Sequence, residues 1–498
     1  MPGLDARIKQ AQPLIAIAIA AATTLCAVRL VFDGTLITFA TNSDTLLPSA
    51  WAQIVWHEGY ALKTFQLPRT TSIFPDLSLH TILQLATGSW RQASLIYGWL
   101  QLAALVTAAA IIIRRITGTS YALGTSVFTL LLAILFTLDT LAGVHETTHA
   151  RIVAEIAAHG GAFLLTLFAA IAAFHTATRS GIIAPLLLFA LSCAGYLSDQ
   201  LTVLELHLPV IVALFLLRRE IPFQRILLIF LSLMLGAALG EVLFRHIEHQ
   251  ILTNTSGLPW RLILDSTPFV IATWYLPAVS VFCTPLYGAR FQNWLTANTH
   301  TLPRRFYWII ATTAALSCFG AAAVFVYRDV GGFRYFYTLT WWPVILGAAL
   351  ICAAVSHRRF AALAFAALSL ALLLPQISLR SPKLLTWTNP IADCLAQHKQ
   401  QNGLDAGLAT YWQARSIEAS SDWALPMEAV TSDAGFYYWG NDRRRYLDHR
   451  SRFNFLVLHD LDPQRITRRF GNPSKIFQCP QSAVWVYPAG HLAGRLDH

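Results

Sequence analysis

The chain has 498 residues, of which 55% are hydrophobic and only 12% charged, and its formal net charge is +10. Soluble globular proteins carry about 25% charged residues, so this composition excludes a soluble enzyme, a disordered protein and a secreted disulfide scaffold. The basic excess lies in short segments between apolar runs, without an RRM, zinc-finger or Walker pattern, and reads as membrane topology rather than nucleic-acid binding.

Apolar runs long enough to cross a bilayer fall near 13–32, 93–113, 121–142, 159–175, 181–197, 201–217, 224–244, 267–287, 307–327, 337–355 and 360–376, eleven in all. The first lacks a small-residue cleavage site before Arg29 and reads as a span, not a signal peptide. With the N-terminus inside, the inner segments carry 13 basic against 2 acidic residues, Arg114, Arg115, Arg218, Arg219, Arg358 and Arg359 among them. The positive-inside rule then places the N-terminus in the cytoplasm and, after an odd number of spans, the tail outside. The predicted fold class is an all-α polytopic membrane protein of about 11 transmembrane helices over 1–376, followed by a small extracytoplasmic α/β domain over 377–498.

The first outer loop, 33–92, contains amphipathic stretches at 51–56 and 77–85. They predict helices on the membrane surface, with Trp51, Trp56 and Trp90 at headgroup depth. Near its start lies Asp44, in the stretch from Thr41 to Pro48. A carboxylate there could take a proton from an acceptor hydroxyl. Ser43 or Asp44 could equally cap a helix that begins at Thr45. Asp76, following Pro75, and Asp199, following Ser198, have the same two readings, site-lining acid or helix start.

His145, Glu146 and His149 form an HExxH pattern. On a helix the two His would share one face and could hold zinc, with Glu146 positioning water. A third ligand would have to be Glu155 or His159, neither at metzincin spacing, and no NPDG or LDG segment follows in a later span. A site-lining or structural role is the simpler reading, with a divalent metal left open. Glu205 and Glu241 fall in or beside spans, where an acid faces a cavity or a partner; His207 and Arg245 are the nearby candidate partners, and a proton or ion path is the lesser reading. Arg328 and Arg334 flank a Gly-Gly turn among aromatics. They could clamp a phosphate at headgroup depth or anchor the loop to the interface. The run from Asp442 to Arg445 reads as a solvated or headgroup-facing patch.

In the tail, 408–411, 453–458 and 483–487 read as strands, and 390–401 and 463–470 as helices. Cys394 and Cys479 are its only cysteines, and an oxidising compartment would permit a bridge between them. The five other cysteines lie in apolar runs as small filler.

This layout resembles the GT-C superfamily of membrane glycosyltransferases. The likeness rests on the short inner N-terminus, the long first outer loop with Asp44 just beyond the first span, the many further spans and the outer α/β tail. Local pieces around Asn42–Asp44, Phe74–Asp76, Ser198–Asp199 and Arg334–Phe336 are similar to uncharacterised bacterial GT-C-like proteins. The resemblance implies transfer of a sugar from a polyprenyl-phosphate donor, with inversion, to an unidentified acceptor on the outer face of the bacterial inner (plasma) membrane. It puts Asp44 in the role of general base, Asp76 and Asp199 in the site lining, and Arg328 and Arg334 beside the departing phosphate. Some members use a metal or a second acid on the next outer loop. Here that loop offers His145, Glu146 and His149, a departure from the usual carboxylates. The competing readings are an intramembrane zinc metalloprotease built on those three residues, and a transporter or flippase for a lipid-linked sugar.

Overall fold

The computed structural model describes residues 2–496 except 35, 69, 143–148, 158, 248–300, 322–336, 357, 359, 378–380, 433 and 438. It is mostly helical, with a small sheet region near the C-terminus. Among the described residues, six helices are long and apolar enough to cross a membrane: Pro13–Asp33, Trp90–Thr117, Tyr121–Ala142, Gly160–Thr178, Phe223–Arg245 and Tyr337–Val355. Each covers a run expected to span. The expected runs at 181–197, 201–217 and 360–376 fall on shorter apolar helices, Ile183–Ser198, Val203–Leu216 and Ala361–Gln376. The run at 307–327 overlaps helix Leu302–Ala321, and the run at 267–287 lies outside the described residues.

Helix Trp90–Thr117 has both of its ends encoded locally. Ser89 accepts a hydrogen bond from the Gln92 N–H at its start. Gly118 ends it at φ +72°, a left-handed conformation that glycine adopts without strain. Between helices, close approach is made by glycine. Gly236 and Gly240 are one turn apart on Phe223–Arg245. A Cβ at Gly236 would lie 2.6 Å from the Phe189 carbonyl oxygen, and one at Gly240 2.8 Å from that of Cys193. This is the small-residue packing that membrane helices use where no hydrophobic gradient drives them together. Leu231, Leu235 and Leu239 of the same helix face outward and are exposed.

The first loop corrects one expectation. Trp51 and Trp90 are buried and only Trp56 is exposed, at 62%. Trp90 is drawn inward because its indole N–H donates to the Ala419 carbonyl of the C-terminal domain, at 3.1 Å. Helix Ser78–Thr87 is turned apolar side out: Ile82 and Leu85 are exposed, whereas His80, Thr81 and Gln84 are buried. His80 meets Ser94 at 3.1 Å.

A two-residue strand of this loop, β1 (Phe65–Gln66), pairs antiparallel with β4 (Asn441–Asp442). The C-terminal domain is a five-stranded mixed sheet of β2 (Ala406–Thr410), β3 (Met427–Val430), β5 (Phe453–Val457), β6 (Lys475–Cys479) and β7 (Ser482–Val486), in the order β3-β2-β5-β7-β6. β2 runs parallel to β3 and β5, while β7 is antiparallel to β5 and β6. Phe455 and Val457 pack into one apolar cluster with Ile391, Leu395 and Ile417; Phe453 and Leu456 pack into another with Tyr446, Ile466 and Phe470. The sheet is thus covered on both faces. The three expected strands are β2, β5 and β7, and the two expected helices are Pro390–Asn402 and Pro463–Phe470. Cys394 and Cys479 form a disulfide that ties the first of those helices to β6.

Candidate functional site

Two groups of residues sit at the end of the helix bundle that faces the C-terminal domain. Asp44 belongs to the first. The turn that carries it is closed by Asn42, whose side-chain oxygen accepts from the Thr45 N–H at 2.9 Å. The short helix Leu47–Trp51 that follows has no side-chain cap. The capping reading of Ser43 and Asp44 therefore fails. Ser43 instead donates to the backbone carbonyl of Tyr411, and Tyr411 donates its hydroxyl to Asp44 Oδ1 at 2.6 Å. Asp44 is half-buried. Tyr411 is buried against Trp412 and Tyr437, with ring centroids 5.1 and 5.2 Å away. Burial and the Asp44 carboxylate push the Tyr411 hydroxyl well above its ordinary range, so it acts as a donor.

The second group is buried. Residues 71–77 are stitched to the end of helix Ile183–Ser198. Thr71 donates to the Leu197 carbonyl at 2.6 Å, Ser72 N–H to the Ser198 carbonyl at 3.0 Å, and Phe74 N–H to Ser198 Oγ at 2.8 Å. Asp76 and Asp199 are thereby brought together, both nearly inaccessible. Tyr97 donates to Asp76 Oδ1. Asp199 Oδ2 lies 2.5 Å from His159 Nδ1, and its Oδ1 accepts from the Leu201 N–H at 2.9 Å. Asp199 thus both starts the following turn and joins the group, whereas Asp76 sits inside the turn Ile73–Leu77, which has no side-chain cap. Glu205 stands beside them and accepts from Thr338 at 2.8 Å. A Cβ at Gly161 would lie 2.3 Å from Asp76 Oδ1, so the carboxylate is packed where only glycine fits. Burial pushes Asp76 up to about 7; Asp199 adds to this, and Tyr97 and His159 oppose it. Ser72, Ala157 and His159 all have positive φ, at 49°, 67° and 62°. Such strain in non-glycine residues concentrates where function over-determines the backbone. Leu47, Leu77 and Ala157 share one small apolar cluster that joins the two groups.

The other expected residues are dispersed. His149 pairs with Asp139 at 3.0 Å, Glu155 with Arg151, and His159 with Asp199. His145 and Glu146 lie outside the described residues, as do Arg328 and Arg334. No group of three metal-ligating side chains occurs among the described residues. Glu241 accepts from Tyr196 at 3.2 Å and from Arg245 at 2.7 Å.

The Asp442–Arg445 patch is a second correction. Arg443 and Arg444 are exposed, but Asp442 and Arg445 are buried. Arg445 binds Glu418, Glu428 and Glu58 at 2.5, 2.6 and 2.6 Å. Arg415 binds Glu418 at 2.5 Å and Asn441 at 2.5 Å. The two Arg outweigh the burial of Glu418 and hold it below the usual carboxylate range, whereas burial pushes Glu428 up. Asp442 accepts from Thr64 at 2.8 Å, beside the β1–β4 pair. The segment is the seam between the C-terminal domain and the first loop.

Sequence reasoning missed Tyr97 and Tyr411 as partners of the expected acids. Tyr97 lies within an apolar run, and Tyr411 is 367 residues from Asp44; neither carries a local signal. No family model, curated protein or solved structure matches the chain.

Proposed function

We propose that the chain is an eleven-span glycosyltransferase of the GT-C kind, with its N-terminus in the cytoplasm and its C-terminal domain outside the bacterial inner membrane. It moves a sugar from a polyprenyl-phosphate donor to an acceptor on the outer face, with inversion. Asp44 takes the proton of the acceptor hydroxyl as that oxygen forms its bond to the anomeric carbon. The bond from that carbon to the phosphate oxygen breaks, and the lipid phosphate leaves with the electron pair beside Arg328 and Arg334. Asp76 and Asp199 support the site wall from behind.

The observation that carries this reading is the contrast among the three expected acids. Asp44 is half-buried, with Asn42 and not Asp44 closing the turn at Thr45, while Asp76 and Asp199 are sealed from solvent. Of the three, Asp44 alone keeps partial exposure, which supports its meeting a substrate hydroxyl. Two further observations support the outer placement. The Cys394–Cys479 disulfide belongs to an oxidising compartment, and helix Ser78–Thr87 offers lipid an apolar face on the same loop.

The test is transfer from radiolabelled polyprenyl-phosphate sugars in membranes carrying the wild type or Asp44→Asn. A general base contributes about 10²–10⁴-fold, so the variant should lose at least about 100-fold while remaining folded. Undiminished transfer in Asp44→Asn would retire Asp44 as the base.

A further inference from the structure

The contact between Asp44 and Tyr411 joins the first loop to the last domain of the chain. Tyr411 opens helix Tyr411–Ser420 directly after β2, which lies between β3 and β5 in the parallel part of the sheet. It therefore sits at the carboxyl end of a central parallel strand, where open α/β sheets present their functional residues. Two neighbouring residues of the loop grip it. Ser43 donates to its main-chain carbonyl, and its own hydroxyl donates to Asp44.

This grip is not what docks the domain. Docking is provided elsewhere by the β1–β4 pair, Arg445 on Glu58, Trp90 on the Ala419 carbonyl at 3.1 Å, and Arg91 on Asp422 at 2.6 Å. Gly440 touches down on the same loop, where a Cβ would lie 2.9 Å from Leu47. With the domain already held at these points, the hydroxyl of Tyr411 is surplus to docking. What it does is hold one oxygen of the Asp44 carboxylate in place, at 2.6 Å.

We infer that the C-terminal domain completes the active site, with Tyr411 as the positioning residue for the Asp44 carboxylate. The inference rests on the transferase reading above. A base that must meet a hydroxyl at hydrogen-bond distance loses rate when its plane is free to turn. Hydrogen bonds to charged groups are the stronger ones, and losing this one should lower turnover by about 10-fold or more. The ring of Tyr411 stays packed in Tyr411→Phe, so the fold should hold.

The experiment uses the full chain in membranes, with polyprenyl-phosphate mannose, glucose and arabinose as donor probes and total membrane extract as acceptor. It compares wild type, Asp44→Asn, Tyr411→Phe, fluorotyrosine at 411 and Trp90→Phe. The expected result is a fall in kcat in Tyr411→Phe with KM for the donor and Tm unchanged. Fluorotyrosine, which keeps the donor, should restore kcat. Trp90→Phe, which loosens docking alone, should lower Tm and leave kcat intact. Wild-type kcat in Tyr411→Phe, beside an inactive Asp44→Asn, overturns the positioning role and leaves the base in place. A parallel loss of Tm and kcat in Tyr411→Phe also overturns it, because the hydroxyl would then be serving the dock. Active Asp44→Asn, or wild type inactive with every probe, overturns the transferase reading and this inference with it.

Discussion

Helices Ile183–Ser198 and Phe223–Arg245 meet where side chains are missing: Gly236 and Gly240 bring one backbone against the carbonyls of the other. The C-terminal domain meets the first loop through its largest polar side chains, with Arg445 buried against Glu58, Glu418 and Glu428. The difference follows from the solvent. In lipid an apolar surface gains nothing by being covered, so association relies on close van der Waals contact. At the aqueous end apolar burial is available, and the domain has it in two clusters. There the ion network adds geometry instead of net stability, since desolvation consumes much of its Coulomb energy. The bundle is thus specified by volume and the seam by charge pairing.

The sharpest way to break the comparison is at Arg445. Arg445→Leu leaves Glu418 and Glu428 buried with one Arg between them, and should cost about 3–5 kcal/mol. Thermal unfolding and limited proteolysis of the whole chain should show the C-terminal domain released first. A neutral result would mean that water reaches the network. On the bundle side, Gly236→Leu drives a side chain into the Phe189 carbonyl and Ser192, and should cost about 1–3 kcal/mol in detergent. Gly320, with nothing among the described residues within 4 Å of its Cβ position, is the control, and Gly320→Ala should be harmless.

The effect at Asp76 is graded with pH and small at any one step. With its carboxyl pushed up to about 7 by burial, the folded protein keeps a proton that the unfolded chain releases near pH 4. That contribution is full below the unfolded value and is lost as pH rises through about 7. Wild type should therefore lose stability relative to Asp76→Asn between about pH 4 and pH 7, with a slope of at most about 1.4 kcal/mol per pH unit. The opposite order would mean that Asp76 is ionised in the folded protein.

The apolar helices and the tail strands were legible because each rests on a local period: a long apolar run, or a short β-branched run between turns. The helix starts at Pro390 and Pro463 were legible for the same reason, each with Asn389 or Asp462 as its cap. The Cys394–Cys479 pairing needed the fold, since β6 had to be placed beside helix Pro390–Asn402 first. Asp442 and Arg445 defeated local reasoning because their partners, Thr64, Glu58, Glu418 and Glu428, come from other segments. A run of charges looks solvated until a buried counter-charge is known. The glycine pair at 236 and 240 was legible and carried information about helix contact that span-counting did not use. For the candidate site, Asp44, Asp76 and Asp199 could be named from their positions, but not which of them are buried. That depended on Asn42 taking the cap and on residues 71–77 folding over the buried pair.

The β1–β4 pair joins residue 65 to residue 442, and the Tyr411–Asp44 bond spans almost as much chain. Contacts of such sequence separation form late, because the loop they close must be ordered first. During synthesis Asp44 emerges long before Tyr411. The contact between them can therefore form only after β2 and the helix that follows it have been made and folded. A chain cut short before β2 would carry Asp44 without its tyrosine partner, so the order of translation itself withholds this contact until the later segment is in place.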